Sequence, residues 1–160
     1  MSLVEAIILG IVQGLTEFLP VSSSGHIELV KAIQGTELEE DLLFTVFLHL
    51  ATALSTVVVF RKDLVDIFKG ILSFKWNEET KFAWFVLISM IPAALVGLFL
   101  KDQIETLFDK NVLLVGSMLL VTGVLLYISD SVKRDKAESL STGKSIIMGI
   151  VQAISILPGI

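Results

Sequence analysis

Three long apolar runs dominate the chain, at 42–60, 82–100 and 112–128. None of them contains Asp, Glu, Lys or Arg, and each is long enough to cross a hydrocarbon core about 30 Å thick as an α-helix. The pattern therefore predicts three transmembrane helices. The alternative is a soluble protein with very apolar core helices, which three such runs in a short chain disfavour.

The first 33 residues carry two shorter apolar stretches, at 3–19 and 27–33, with polar and helix-breaking residues between them. Pro20 follows the first stretch, and the serines and glycine of "VSSSG" favour turns and helix ends over helix interiors. The second stretch is too short to cross a bilayer. A helix, a break and a short helix predict a re-entrant hairpin over 1–33, whose broken backbone must be surrounded by protein or a wet cavity.

Polar side chains inside this hairpin predict an interior site. Gln13 and Glu17 are four residues apart and therefore share one helix face. A charged side chain at the centre of a span costs about 2.5–3.5 kcal/mol or more, so it normally faces a cavity. Gly10 and Gly14 have the same spacing beside that face and predict close approach of another helix. An interfacial Glu17 and an interhelical hydrogen bond from Gln13 are the non-catalytic alternatives.

Composition agrees with a membrane protein and excludes several other classes. Of the 160 residues, 54% are hydrophobic and 18% are charged, and the mean hydropathy is +0.84. The chain contains no cysteine, which excludes a disulfide framework and a thiolate ligand or nucleophile. It also lacks a basic patch with interleaved aromatic residues, so nucleic acid is not an expected partner.

The positive charges alternate from one connecting segment to the next. Segments 61–81 and 130–145 hold five and four of the twelve Lys and Arg residues, and segments 31–41 and 101–111 hold the other three. The positive-inside rule therefore predicts that 61–81 and 130–145 are cytoplasmic and that the acidic segment 31–41 is external. Within 61–81, "LVDIFKGILSF" predicts an interfacial amphipathic helix.

The two ends of the chain resemble each other. "ILGIVQGLTEFLPV" at 8–21 aligns with "IMGIVQAISILPG" at 147–159, with one residue fewer in the second copy. Three intervening spans would invert the second copy, which predicts an inverted-topology repeat whose site lies where broken helices meet. The matched pairs are Gly10 and Gly149, Gln13 and Gln152, Gly14 and Ala153, Thr16 and Ser155, and Pro20 and Pro158.

This organisation predicts an all-α integral membrane protein in which each half has a re-entrant helical hairpin and three transmembrane helices. The first repeat covers 1–129, a cytoplasmic loop covers 130–145, and 146–160 begins the second repeat. Because the second copy reaches only its break, we expect a complete protein of this design to be longer.

The stretch "QGLTEFLPVSSSGH" resembles the first signature of the undecaprenyl-diphosphate phosphatase family, also called the bacitracin-resistance family. "LPGI" at 157–160 is similar to the start of its second signature, and we expect Ser-Arg-Ser to follow. The resemblance implies a multi-pass enzyme of the bacterial inner membrane that removes the terminal phosphate of undecaprenyl diphosphate. The product, undecaprenyl phosphate, is the lipid carrier for cell-wall synthesis. The resemblance also implies bacitracin resistance and a divalent cation, Mg²⁺ or Ca²⁺, and a homodimer is compatible with it.

The hairpin has suitable parts for that chemistry. Glu17 is the expected ligand of the cation, and Gln13 would assist it as a ligand or by holding water. Ser23 is the expected nucleophile with His26 as its base; His26 or Glu17 activating water directly is the open alternative. Hydroxyls and the N–H groups at a helix N-terminus suit a diphosphate. The expected phosphate-binding residues are Ser22, Ser23, Ser24, Gly25 and Gly159.

Other readings of the same features remain. The serines would also suit a helix cap, and His26 would also suit the membrane interface. Inverted repeats and a buried glutamate are equally typical of a secondary transporter or lipid flippase, and a lipid-binding protein without activity is a third class. His49 predicts an interhelical hydrogen bond, and Pro92 predicts a kink in the second span.

Overall fold

The computed structural model describes residues 2–35, 42–108, 111–132 and 139–160, and most of these residues are helical. No β-strand occurs in these ranges. Their helices are α1 (Leu3–Thr16), α2 (Ser23–Gln34), α3 (Leu42–Val59), α4 (Arg61–Leu72), α5 (Glu78–Phe99), α6 (Lys101–Phe108), α7 (Val112–Ser131) and α8 (Thr142–Ile154). The predicted all-α class is therefore confirmed for the described part of the chain.

The three predicted apolar runs coincide with α3, α5 and α7. Helices α5 and α7 are each long and apolar enough to cross a membrane. Helix α3 is long and apolar enough to cross a membrane when it is taken together with α4, and the two helices meet at a bend of 77°. Along the most apolar window of α5 no residue is buried, so this surface is suited to lipid contact. The described chain thus has two such helices, or three if the bent pair is one span.

The predicted break between two short helices is present, but α2 begins four residues before the apolar stretch 27–33 that predicted it. Residues 17–22 form the break, and Ser23, Ser24 and Gly25 form the first turn of α2. The first N–H groups of a helix need no intrahelical acceptor, so serines and glycine are tolerated there. Ser23, Ser24 and Gly25 therefore lie at a helix end, as their residue types favour, and not in the interior of a helix.

Two compact units divide the chain, and unit 1 contains the predicted hairpin. Unit 1 comprises Met1–Ala53, Asp102–Arg134 and Leu157–Ile160. Helix α2 packs against both α1 and α7, and the buried apolar core includes Leu9, Ile27 and Val115. The close helix approach predicted at Gly10 and Gly14 is not found. A Cβ at Gly10 would be in ordinary contact with Leu48, 3.9 Å away, and a Cβ at Gly14 would have no neighbour within 4 Å.

Unit 2 comprises Leu54–Lys101 and Asp135–Ile156. Helix α4 confirms that part of 61–81 is helical, and it packs against α5. Helix α5 continues through Pro92 and packs extensively against α8. At Gly149 the two backbones are so close that a Cβ would lie 2.3 Å from the carbonyl oxygen of Ser89 and 2.9 Å from the Pro92 ring.

Candidate active site

The break between α1 and α2 brings three of the predicted site residues together. Gln13 Nε2 donates a hydrogen bond to Glu17 Oε2 across 3.0 Å, as their i, i+4 spacing predicts. The hydroxyl of Ser23, at the start of α2, donates to the same carboxylate oxygen. Two donors from opposite sides of the break therefore converge on one oxygen of Glu17.

The amide oxygen of Gln13 is left without a partner. Gln13 is 1% exposed, and its Oε1 is buried with no hydrogen bond. An unsatisfied buried acceptor is costly and calls for a missing donor or cation. Carboxylate, amide and hydroxyl oxygens are the ligand types that Mg²⁺ and Ca²⁺ prefer, so this corner fits a divalent cation. The described residues contain no group of three or more acidic or histidine side chains that would form a complete cage.

His26 has a partner different from the predicted one. Its Nδ1 lies 2.8 Å from the carbonyl oxygen of Ser22, and because a carbonyl only accepts, Nδ1 is the protonated nitrogen. This leaves Nε2 as the basic nitrogen of the neutral ring. The expected hydrogen bond between Ser23 and His26 is not among those formed by the described residues, since the Ser23 hydroxyl is bonded to Glu17 instead.

The beginning of α2 is suited to an anion. Ser22 occupies its N-cap position without making a side-chain cap hydrogen bond. The first N–H groups of a helix lack intrahelical acceptors, and the helix dipole places partial positive charge there. The N–H groups of the turn formed by Ser23, Ser24 and Gly25 are therefore of the kind that suits phosphate oxygens, and their predicted role in phosphate binding stays a prediction.

The segment Leu157–Ile160 lies against this loop. Gly159 N–H donates to Ser22 Oγ across 2.9 Å, although 137 positions separate the two residues. A Cβ at Gly25 would lie 2.8 Å from Gly159 Cα, so only glycine at position 25 permits this approach. Gly159 itself has φ +99, a conformation that favours glycine. The serine and glycine end of the first motif and the start of the second motif are therefore in contact within unit 1.

Two buried polar residues near these elements were missed by sequence reasoning. Thr122 of α7 donates to the carbonyl oxygen of Gly159 across 2.6 Å. Lys31 of α2 is 4% exposed and donates to Thr45 Oγ1 across 3.0 Å. No signal in the sequence marks Thr122, because a threonine in an apolar helix ordinarily bonds its own helix.

His49 and Ser24 have less distinctive surroundings. His49 Nδ1 bonds the carbonyl of Thr45 within α3, across 2.8 Å, so the expected interhelical hydrogen bond is replaced by one inside the helix. Ser24 Oγ lies 3.5 Å from Ser22 Oγ, at the limit of a hydrogen bond. Of the three serines, only Ser23 contacts a carboxylate.

Comparison with known proteins gives consistent matches along the chain. The family described as bacitracin resistance protein BacA matches residues 6–160. An undecaprenyl-diphosphatase of Christiangramia forsetii is 59% identical over 162 residues, covering 100% of this chain and 61% of its own length. One from Parabacteroides distasonis is 49% identical, covering 100% and 60%, and one from Methanosphaera stadtmanae is 40% identical, covering 100% and 63%. The chain therefore spans about three-fifths of the length of these relatives.

Proposed function

The chain belongs to the bacitracin resistance protein BacA family, and from that premise we propose that the protein is a membrane phosphatase acting on undecaprenyl diphosphate. The products are undecaprenyl phosphate and inorganic phosphate, and the lipid product returns to cell-wall synthesis. Curated relatives that carry the name undecaprenyl-diphosphatase support this substrate. The observation that carries the proposal is the Ser23 hydroxyl bonded to Glu17 beside an uncapped helix N-terminus.

The loop binds the diphosphate in this proposal. The N–H groups at the start of α2 and the hydroxyl of Ser24 receive phosphate oxygens. Gly25 has no side chain, which leaves room for Gly159 to pack against this turn. Gly159 approaches the same turn, and its backbone N–H donates to Ser22 Oγ. Since the donors at the start of α2 are fixed by the helix, they are oriented before the substrate arrives.

A divalent cation, Mg²⁺ or Ca²⁺, completes the site. The Glu17 carboxylate and the unpartnered Gln13 amide oxygen would hold it, because both are hard oxygen ligands. The cation supplies neutralisation of negative charge on the diphosphate. Such a site depends on substrate oxygens for its remaining ligands, which is common for Mg²⁺ at phosphate sites.

Ser23 is the nucleophile in the proposed reaction. Its oxygen bonds to the terminal phosphorus while the bond from that phosphorus to the bridging oxygen breaks, and undecaprenyl phosphate leaves. The hydroxyl proton passes to Glu17, which already accepts it in a hydrogen bond. Water, deprotonated by His26 Nε2, then attacks the phosphorus, and the bond from that phosphorus to the Ser23 oxygen breaks. The Ser23 oxygen takes back the proton from Glu17, and inorganic phosphate leaves. Direct attack by water activated at His26 or Glu17 is the competing mechanism.

The membrane arrangement is also proposed. α5, α7 and α3 cross the bilayer, and the α1–α2 hairpin enters and leaves on the outer side. The start of a second, inverted repeat follows at 146–160. Apolar exposed surfaces on α5 and α7 and the uneven distribution of Lys and Arg support this arrangement. We place the protein in the bacterial inner membrane, with membrane lipid and polyprenyl diphosphate as its partners; a homodimer is compatible.

Phosphate release from undecaprenyl diphosphate by the purified full-length protein tests this function. We expect release by the wild type and its loss in Glu17→Ala, Ser23→Ala and His26→Ala. Unchanged release in all three variants would contradict the site. A wild-type protein that moves the lipid across a vesicle membrane without releasing phosphate would contradict the enzyme and favour the transporter or flippase alternative.

A further inference from the structure

The backbone of Ser22 is held in an unusual conformation at the centre of the site. Its φ of 62 and ψ of 87 place it in the left-handed region, which residues with a Cβ adopt rarely. Such conformations persist where surrounding contacts hold them, and they concentrate at functional sites. Here the carbonyl of Ser22 accepts the Nδ1 proton of His26. The conformation of Ser22 therefore determines where that carbonyl points and which nitrogen of His26 is free.

Two backbone groups hold Ser22: the N–H of His26, which donates to the Ser22 carbonyl across 3.2 Å, and the N–H of Gly159, which is the contact from outside the hairpin. The Gly159 N–H donates to Ser22 Oγ across 2.9 Å, and the peptide of Gly159 is in turn held by Thr122, whose hydroxyl donates to its carbonyl across 2.6 Å. Space around Gly159 is tight, because a Cβ there would lie 2.7 Å from the carbonyl oxygen of Val115. Both the N–H and the carbonyl of Gly159 are therefore held by hydrogen bonds.

Thr122 differs from the other hydroxyl residues of α7 that the structure pairs. Ser117 and Ser131 donate to carbonyls four residues earlier in their own helix, at Leu113 and Tyr127. Thr122 instead donates outside the helix, is 8% exposed and faces the loop segment. A buried hydroxyl directed away from its own helix points to a specific positioning task.

We infer that Thr122 is a positioning residue for His26, acting through Gly159 and Ser22. The inference rests on the proposed function, in which His26 Nε2 takes a proton from water. Thr122 fixes Gly159, Gly159 holds Ser22 in the left-handed conformation, and the Ser22 carbonyl keeps the proton of His26 on Nδ1. Without Thr122, Ser22 relaxes, and the ring of His26 loses its fixed tautomer and orientation.

The test compares Thr122→Val, Thr122→Ser and Ser117→Ala in the full-length protein. Thr122→Val keeps the shape and removes the hydroxyl, so kcat should fall about tenfold while KM stays within about twofold. Thr122→Ser keeps the hydroxyl and should restore kcat. Ser117→Ala removes a hydroxyl that bonds only its own helix and should behave as the wild type. Histidine ¹⁵N NMR, assigned with His26→Gln, should show Nδ1-protonated His26 in the wild type and mixed tautomers in Thr122→Val.

Two results would overturn the inference. One is a wild-type kcat and a wild-type His26 spectrum in Thr122→Val. The other is a loss of kcat with an unchanged His26 spectrum, which would mean that Thr122 only supports packing. If Thr122→Val does not fold, Ser22→Ala removes the acceptor of Gly159 instead and must shift the same resonance. A wild-type protein without phosphatase activity would contradict the proposed function, while the NMR comparison would still decide the role of Thr122.

Discussion

The three consecutive serines have different surroundings, although the sequence presents them as equivalent. Ser22 Oγ accepts a hydrogen bond from the Gly159 N–H, which uses one of its lone pairs. Ser24 Oγ has only a long contact of 3.5 Å to Ser22. Ser23 alone donates to a carboxylate, which is what a hydroxyl nucleophile needs to lose its proton. The structure therefore favours Ser23 among the three as the attacking group.

Replacing Ser23 and Ser24 separately tests this difference. Ser23→Ala should lower kcat by about a thousandfold or more, because a nucleophile and its proton acceptor act as a unit. Ser24→Ala should raise KM several-fold with kcat within about twofold, since only a phosphate contact is lost. The measurements are steady-state phosphate release and acid-quench trapping with ³²P-labelled substrate. Absence of labelled enzyme in the wild type, with rapid turnover, would favour direct attack by water.

Gln13 provides a separate test of the proposed cation. Gln13→Leu removes the unpartnered oxygen and should raise the Mg²⁺ or Ca²⁺ concentration for half-maximal activity about tenfold or more. Gln13→Glu replaces the amide with a second carboxylate and should leave that concentration unchanged or lower it. Cation titrations of phosphate release measure both effects. Identical titrations for the wild type and Gln13→Leu would remove Gln13 from the cation site.

Sequence reasoning predicted the site residues whose partners are close in sequence. The pairing of Gln13 with Glu17 follows directly from helical spacing. The contacts of Thr122 and Ser22 with Gly159 span 37 and 137 positions, and no local pattern encodes them. The base predicted for Ser23 was His26, three residues away, but the backbone turn directs the imidazole to the Ser22 carbonyl. The hydrogen-bond partners of Thr122, Ser22 and His26 are therefore set by tertiary geometry and not by residue type.

At the scale of helices, the two copies of the sequence repeat pack differently. Gly10 and Gly149 align, and Gly10 was expected to mark a close helix contact. Only Gly149 does so, against Ser89 and Pro92 of α5, whereas Gly10 has ordinary space around it. Similar sequences thus lie in different environments in unit 1 and unit 2, so the role of a glycine in one copy does not transfer to the other.

The pair Gly10→Ala and Gly149→Ala measures this asymmetry. Gly149→Ala places a Cβ 2.3 Å from a backbone oxygen, so α5 and α8 must separate, at a cost of about 1–3 kcal/mol in unfolding free energy. Gly10→Ala should be neutral or stabilise by about 0.5–1 kcal/mol, because alanine favours helix. Thermal unfolding in detergent compares the two variants. Equal shifts in Tm would contradict the packing described for α5 and α8.

The sequence predicted helix boundaries well where the length of an apolar run sets them. It predicted them less well where a capping residue sets them. Helix α3 ends at Val59, one residue before the end of the apolar run at 42–60 that predicted it. Helix α5 begins at Glu78, four residues before its run, because Asn77 caps it and accepts a hydrogen bond from the Thr80 N–H. Helix α2 likewise starts in the serine turn. Polar first turns therefore extend helices beyond the limits that hydropathy alone suggests.

At the scale of the whole molecule, the proposed chemistry depends on a hairpin that does not cross the bilayer. Helix α1 has 14 residues and α2 has 12, each shorter than the about 20 residues that span a hydrocarbon core. Their contact brings Glu17 and Ser23 together and buries Leu9 and Ile27. If the hairpin turns back, Ser2 and Gly35 are on one side of the membrane, and the predicted charge distribution places that side outside.

Accessibility of single cysteines tests this topology, since the chain contains no cysteine of its own. In a cysteine-free full-length protein, Ser2→Cys and Thr36→Cys should both react with a membrane-impermeant maleimide in right-side-out vesicles. Lys75→Cys and Ser139→Cys should react only in inverted vesicles, because their segments carry most of the positive charge. Detergent-solubilised protein, in which all four should react, is the control. Labelling of Ser2→Cys and Thr36→Cys from opposite sides would mean that 1–33 crosses the membrane, and α1 and α2 would no longer form a re-entrant site.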